Sequence, residues 1–342
     1  LTSNPDYPMT NRVIQAEYPP ASTYKIVTAI AGLEEGVIDH ETTHYCPGYY
    51  ALGNRVFRCW KRGGHGEVNV VRAIAESCDV FFYKVGEEVG VDRLAFYAGM
   101  CGLGDRTGIS LDNESKGLIP TSVWKKKRLG ESWQKGETLN ISIGQGFNLT
   151  TPLQMLVLTS AIANNGSLYQ PQVVRRVETA DGMEIENIES VVTGNLTISP
   201  QTMDIVKRGL WEVVNTKKGT ARGIKLKQYS ISGKTGTAQL VTTREPKAGE
   251  EKKDSLFEQN LPHAWFVAYA PSEAPRIAVA VIVEHGEHGS TAAAPIAKEL
   301  IKTYLDKEAQ QKLTAEEETR SQKTEDRRQV SDAGSQETIF TF

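Results

Sequence analysis

Pro19-Pro20-Ala21-Ser22-Thr23-Tyr24-Lys25-Ile26-Val27-Thr28-Ala29-Ile30-Ala31-Gly32-Leu33 is the stretch on which the reading of this chain turns. Ile26, Val27, Ile30 and Leu33 recur at the spacing of one helical face, and Gly36 stops the run. The spacing predicts a buried helix over Ala21–Leu33, and its first turn carries Ser22 and Lys25. A lysine three positions after a serine lies about one helical turn away, so its amine reaches the hydroxyl. Desolvation near a second cation keeps such an amine neutral enough to act as base. Backbone N–H groups at a helix start also favour a developing negative charge. Taken by itself, Ser22 has a plainer reading as an N-cap.

Helices dominate the chain around this segment. Residues 40–66, with Pro47, many glycines and mixed charge, predict a long ordered loop or short strands. Val70–Val89 reads as buried helices broken at Gly90, and Pro152–Ala163 as an apolar helix stopped by Asn164-Asn165-Gly166. Ser199-Pro200 is an N-cap and first-turn pair for a helix running through Val214. The period then changes. Tyr229–Leu240, Ala264–Ala270 and Ile277–Glu284 are short runs of β-formers, the last two joined by Pro271-Ser272-Glu273-Ala274-Pro275 at hairpin length. Ala292–Leu305 closes the pattern as an amphipathic helix. Helices first and antiparallel strands later predict an α+β fold.

The 342 residues, 39% hydrophobic and 24% charged, suffice for one large or two ordinary domains and exclude a disordered or disulfide-stapled mini-protein. A net charge of −3 gives no electrostatic reason to expect nucleic-acid binding. No apolar run reaches the roughly 18 residues of a membrane helix. The start at Leu1-Thr2-Ser3 suggests a fragment from which an upstream anchor is missing. Glu245–Gln259 reads as a solvated loop at one end of the sheet, and the charged stretch from Asp306 onward as a disordered tail, residues 306–342.

Ser-x-x-Lys occurs three times: Ser22–Lys25, Ser122–Lys125 and Ser132–Lys135. Roughly one or two matches arise by chance in this length. Context separates them, because Ser122 and Ser132 lie in a polar, Lys-rich stretch without helical apolar spacing. Lys234-Thr235-Gly236-Thr237 falls on a β-rich segment. There a cation, a hydroxyl and a glycine that allows close backbone approach suit a substrate carboxylate along a strand edge. Alone it also reads as an edge strand with a gatekeeping lysine. Ser77-Cys78-Asp79 lies within the helical first third, where a helix-end cap is the plain alternative.

Taken in order, Ser-x-x-Lys, a Ser-x-Asn variant and Lys-Thr-Gly form the set shared by penicillin-binding proteins and class A β-lactamases. From about Arg12 to Leu305 the chain resembles the transpeptidase domain of class B penicillin-binding proteins, closest to their elongation-type subgroup. The likeness includes Gly144-Gln145-Gly146 with Thr151-Pro152-Leu153-Gln154, Trp60-Lys61 leading to Gly64-His65-Gly66, Gly219-Thr220-Ala221, and Thr235-Gly236-Thr237-Ala238-Gln239. It implies a transpeptidase fold over residues 1–305, an antiparallel sheet flanked by helices with a helical subdomain. An anchor and pedestal domain would precede it, in the inner membrane with the catalytic domain facing the periplasm. The implied activity is peptidoglycan D,D-transpeptidation in cell elongation and rod-shape maintenance, with carboxypeptidase release as a variant and acylation by β-lactams. Ser22 would be nucleophile, Lys25 general base and Ser77 proton relay. Lys234, Thr235, Gly236 and Thr237 would hold the substrate carboxylate, and the Ser22 and Thr237 N–H groups would form the oxyanion hole. Asp79 stands where most relatives have Asn; unable to donate as an amide does, it would orient Lys25 or Ser77. Implied partners are D-Ala-D-Ala stem peptides, a glycosyltransferase and a rod-shape scaffold protein.

Two other readings stay open. A serine β-lactamase needs a deacylating base, which Glu137 superficially offers. A β-lactam sensor would acylate without turnover. No cofactor is needed for the chemistry. Cys46, Cys59, His65 and Cys78 nevertheless offer a Cys₃His set for structural zinc, with His44 in reserve and Cys101 outside. The spacing is looser than that of a zinc finger; the resemblance adds that some elongation-type relatives hold a metal at the matching positions. A Cys46–Cys59 disulfide or buried free thiols are the alternatives.

Overall fold

Eight consecutive buried residues, His263–Ala270, form the middle strand of a sheet covered on both faces, which is why the run is apolar without alternation. The computed structural model describes residues 7–239 and 261–334. The expected solvated loop Glu245–Gln259 lies outside them. In chain order the elements are α1 (Lys25–Glu34), β1 (His44–Cys46), β2 (Tyr49–Leu52), β3 (Arg55–Arg58), β4 (Gly66–Val68), α2 (Val70–Ala75), α3 (Asp79–Val89) and α4 (Val91–Met100). Then come α5 (Ser122–Leu129), α6 (Lys135–Ser142), α7 (Pro152–Ala163), β5 (Ser167–Tyr169), β6 (Arg176–Glu178), β7 (Glu184–Asn187), β8 (Val192–Asn195) and α8 (Pro200–Asn215). β9 (Ser232–Ala238), β10 (His263–Ala270), β11 (Ile277–Val283) and α9 (Ala294–Gly334) complete the chain.

The α+β reading holds. The three-stranded antiparallel sheet runs β11-β10-β9, with Lys234 opposite Val267 and Gly236 opposite Trp265. Helices α7 and α9 lie against β10 and β11, and α8 lies against β9. The segment 40–66 folds into short two-stranded pairs, β1 with β4 and β2 with β3. Ser199 caps α8 as its sequence predicts, accepting from Thr202 N.

Helix α1 is the hub of the helical half. Eight of its ten residues are buried, so it is apolar all round, and it touches α2, α3, α4 and α8. Its start departs from expectation. Residues Ala21–Thr23 form a separate 3₁₀ turn, with Ala21 at φ +51°. Tertiary bonds override the local helical preference: Ala21 N–H donates to Gly144 O (2.8 Å), and the Trp265 indole donates to Pro19 O (3.1 Å). Ser22 therefore sits within this turn and caps no helix.

Two further expectations fail. The Lys-rich stretch around Ser122 and Ser132 contains α5 and α6, short helices capped by Thr121 and by a Gln134–Glu137 capping box. Capping chemistry compensated for the missing apolar period. The charged tail from Asp306, expected to be disordered, continues α9 as far as Gly334, and residues 335–342 of it lie outside the described residues. Ala297, Ile301 and Leu305 bury one face of its first part. Beyond that, Glu, Lys, Gln and Ala are strong helix formers, and Lys302–Asp306 (2.6 Å) and Glu308–Lys312 (3.5 Å) pair at i, i+4. No helix among the described residues is long and apolar enough to cross a membrane.

Helices α3 and α6 touch at Gly86, where an added Cβ would lie 2.2 Å from the Ser142 Cβ. Gly99, near the end of α4, has open space around the same position. Alanine is the better helix former by about 1 kcal/mol, so Gly99→Ala should hold or raise stability. Gly86→Ala should lower it by about 1–3 kcal/mol through overpacking. Paired denaturant titrations check the opposite signs.

Candidate active site

The turn between α2 and α3 brings the reactive groups together. Ser77 occupies it at φ +54°, a left-handed conformation that a serine adopts at a cost. Asp79 is the first residue of α3, Lys25 the first of α1, and Lys234 the third of β9. Lys25 Nζ donates to Ser77 Oγ (3.1 Å), to Ser77 O (3.0 Å) and to Asp79 Oδ1 (2.6 Å). Lys234 Nζ donates to the same Ser77 Oγ (2.9 Å) and to Thr235 O (3.1 Å). Both lysines are fully buried. The Lys25 ammonium also lies 5.7 Å from the centre of the Phe82 ring.

Burial, and after it the charge of Lys25, holds the Lys234 ammonium well below the usual lysine range, with Asp79 opposing. Burial likewise lifts Asp79 above the carboxylate range although Lys25 pulls the other way. Asp79 uses its second oxygen to accept the Trp60 backbone N–H at 2.8 Å.

Ser22 is half-buried in the 3₁₀ turn one residue pair before Lys25. Its hydroxyl makes no hydrogen bond among the described residues; Lys25 is engaged instead by Ser77 and Asp79. Nucleophile–base bonds are often open before substrate arrives. Gly144, at φ +73°, packs beneath the turn, where a Cβ would lie 2.1 Å from Ala21 O. The next residue, Gln145, donates from Nε2 to Thr237 O (3.1 Å) and so ties the serine turn to β9. Thr235 Oγ1 meets Thr220 Oγ1 at 2.8 Å. Gly236 is hemmed in by Trp265, Pro20 and Thr23, and Gly289 has no room for a Cβ between Gly236 and Trp265. Ser22, Lys25, Ser77, Asp79 and the Lys234–Thr237 strand thus line one region, although they come from three separate segments.

The rival serine–lysine pairs do not assemble. Ser122 Oγ donates to Asp92 Oδ2 (2.7 Å), while buried Lys125 pairs with Glu137 (2.5 Å) and Glu131 (3.3 Å). Lys135 is exposed and lies 3.8 Å from Glu87. Glu137, the candidate deacylating base, accepts from Gln134 N (2.7 Å) and from Lys125, so its carboxylate links α5 to α6.

Beside this region, ligand atoms of Cys46, Cys59, His65 and Cys78 all lie within 4.8 Å of one another, each residue buried. The Sγ atoms of Cys46 and Cys59 are each 3.5 Å from His65 Nδ1. All four cysteines of the chain are free thiols, so the Cys46–Cys59 disulfide does not occur in this structure. Hydrogen bonds from Cys78 and His65 depress the Cys46 and Cys59 thiols, and their thiolates push Cys78 up. The same two sulfurs raise His65 against the opposing effect of burial. His44, the reserve ligand, instead packs its ring against Phe81 (5.2 Å). Cys101 is buried elsewhere.

Sequence reasoning gave no role to Trp60, Thr220 or Gln145, whose contacts are long-range and leave no trace in spacing. Their presence in quoted motifs was the only signal.

Known proteins supply the remaining context. Residues 1–302 match the family described as penicillin binding protein transpeptidase domain. The peptidoglycan D,D-transpeptidase MrdA of Acinetobacter baumannii is 40% identical over 86% of this chain and 43% of its own length. That of Haemophilus influenzae is 38% identical over 87% of this chain and 46% of its own length. The chain therefore spans somewhat under half the length of these relatives. Among solved structures, Pseudomonas aeruginosa PBP2 in complex with WCK 5153 superposes with a TM-score of 0.76 at 35% identity, covering 89% of this chain and 65% of that one. Helicobacter pylori PBP2 in complex with MreC gives 0.76 at 34%, covering 89% and 52%. The turn-borne serine, the paired lysines and the Lys-Thr-Gly strand agree with that match, and the chain belongs to the penicillin-binding protein transpeptidase family.

Proposed function

We propose that this chain is the catalytic domain of a peptidoglycan D,D-transpeptidase of the elongation type, working through an acyl-serine. The observation that carries the reading is Ser77 Oγ held between Lys25 and Lys234 beside the Ser22 turn. Lys25 in its neutral amine form takes the Ser22 hydroxyl proton as Oγ attacks the penultimate D-alanine carbonyl. The carbon–nitrogen bond breaks, Ser77 passes a proton to the leaving amine, and terminal D-alanine departs. An amine of a neighbouring stem peptide then takes the acyl group; water in its place gives carboxypeptidase release. Backbone N–H groups of Ser22 and Thr237 stabilise the oxyanion, a contribution of about 3–4 kcal/mol per donor. Lys234, Thr235, Gly236 and Thr237 receive the terminal carboxylate, Gly236 by letting substrate approach the strand closely. Asp79 positions Lys25. A β-lactam enters the same path and stays on Ser22.

The MrdA relatives and the PBP2–MreC complex support a place in cell elongation, with a scaffold protein as partner. The structure of a peptidoglycan synthase complex coordinating polymerisation and cross-linking, 32% identical, supports a glycosyltransferase partner. An upstream membrane anchor with this domain in the periplasm fits the same relatives.

The Cys46, Cys59, His65 and Cys78 group fits structural zinc. Bond lengths of about 2.0–2.3 Å in a tetrahedron place ligand atoms roughly 3.4–3.8 Å apart, which matches the 3.5 Å Sγ–Nδ1 separations. Zinc there would tie the 46–66 loop to the start of α3.

Three outcomes are expected. Mass spectrometry after labelled penicillin should place the adduct on Ser22 alone, and Ser22→Ala should abolish it while Ser122→Ala and Ser132→Ala keep it. An adduct on Ser122 or Ser132 sinks the assignment. Lys234→Met should slow acylation by roughly 10²-fold, the effect of losing a charge-assisted anchor. Its thermal midpoint should hold or rise, because a buried ammonium without a directly paired carboxylate is removed; parallel loss of folding and acylation points instead to a structural lysine. Protein purified without added zinc should carry about one zinc per chain, lost in Cys78→Ser. A metal-free chain with a mapped Cys46–Cys59 bridge would falsify the zinc site.

A further inference from the structure

Trp60 follows Cys59 in the loop after β3, and the residue is 59% exposed. Burial of apolar area therefore does not account for an indole at this position. Both of its N–H groups are used. The backbone N–H donates to Asp79 Oδ2 (2.8 Å), and the indole Nε1–H is shared between Glu76 O and Ser77 O at 3.0 Å each. The Ser77 carbonyl that it holds also accepts from Lys25 Nζ (3.0 Å). This carbonyl belongs to the residue at φ +54° whose hydroxyl bridges the two lysines. A left-handed serine persists only where its surroundings over-determine it. The indole N–H and the Lys25 ammonium grip the one carbonyl that follows that strained φ.

We propose that Trp60 is a positioning residue for the Ser77 hydroxyl, acting through the Ser77 carbonyl to keep Oγ between Lys25 and Lys234. The inference rests on the acyl-serine reading for its consequence in catalysis, and on geometry alone for its effect on the turn. The ring also stands edge-on to His65 at 5.6 Å, which gives the plain alternative of a cover over the cysteine cluster.

Trp60→Phe separates the two, because it keeps a ring and the backbone N–H while deleting Nε1–H. Acylation of Ser22 by labelled penicillin should slow about tenfold in the chemical step, with half-saturation and thermal midpoint unchanged. In a Ser77→Ala background the same change should have no further effect, since the hydroxyl it positions is gone. Multiplying effects, a wild-type acylation rate in Trp60→Phe, or a fall in thermal midpoint that tracks the rate overturns the proposal. Amide hydrogen exchange over residues 77–79 supplies a readout independent of acylation. It should speed up in Trp60→Phe, and unaltered exchange overturns the positioning role. A wild-type chain that takes no label at Ser22 counts against the acyl-serine reading instead.

Discussion

Two lysine ammonium groups, Lys25 and Lys234, share one hydroxyl oxygen deep in the protein, at 3.1 and 2.9 Å, with one carboxylate, Asp79, in direct contact with only one of them. At an effective dielectric of ~20, unit charges ~4 Å apart interact by about 4 kcal/mol. Burial weighs most on Lys234, and there the Lys25 charge outweighs the support of Asp79. One cation is satisfied and the other is destabilised, as the depressed Lys234 shows. A purely structural core would replace this arrangement with apolar groups at no loss of stability. Under the acyl-serine reading proposed above, a site that moves a proton toward a leaving amine and binds a carboxylate anion uses both the lability and the unpaired charge.

The rest of the fold keeps that arrangement from relaxing. Lys25, Ser77 and Lys234 are separated by 52 and 157 positions along the chain, so no local preference brings them together. The β9–β10 register places Gly236 against Trp265, whose indole reaches back to Pro19 just before the serine turn. Gly144 lets the turn sit against its own backbone, and Gln145 bonds across to Thr237. Gly144 leaves no space for an added methyl and Gly236 little, so the three segments are packed closely together.

This division explains what could be read from the sequence. Helix α7 and the cap of α8 follow from Pro, Asn-Asn-Gly and Ser-Pro signals, because local chemistry decides them. Strands β10 and β11 follow from β-branched and aromatic runs. The candidate site residues could be picked out because their motifs are contiguous and the order of those motifs is specific. The 3₁₀ turn at Ala21–Thr23 was not, since Gly144 and Trp265 impose it from far along the chain. Helices α5 and α6 hide in a charged stretch because capping, not apolar spacing, defines them. The continuation of α9 was missed for the opposite reason: composition spoke for solvation, and helix propensity with i, i+4 pairing acts on those same residues.

Backbone strain marks the same places. Among the described residues, seven besides glycine have positive φ: Tyr7, Ala21, Ser77, Asn113, Asn165, His285 and Glu287. Asparagine accepts such angles readily, which accounts for two of them. Ala21 and Ser77 have no such excuse, and they stand next to the proposed nucleophile, Ser22, and at the proposed proton relay. His285 and Glu287 flank the turn leading to Gly289, which packs on Gly236 of the substrate strand. Glycine would remove the strain at all four positions, but it would also give the unfolded chain and the folded loop more freedom to lose or to sample. With side chains present, each turn is costly to enter and is held by specific bonds: Ala21 N–H on Gly144 O, Ser77 O on Lys25 and Trp60, and His285 N–H on His263 Nδ1. Strain held in this way by neighbours fixes where Oγ atoms and strand edges point before substrate arrives, and that is the geometry an oxyanion hole and a proton relay require.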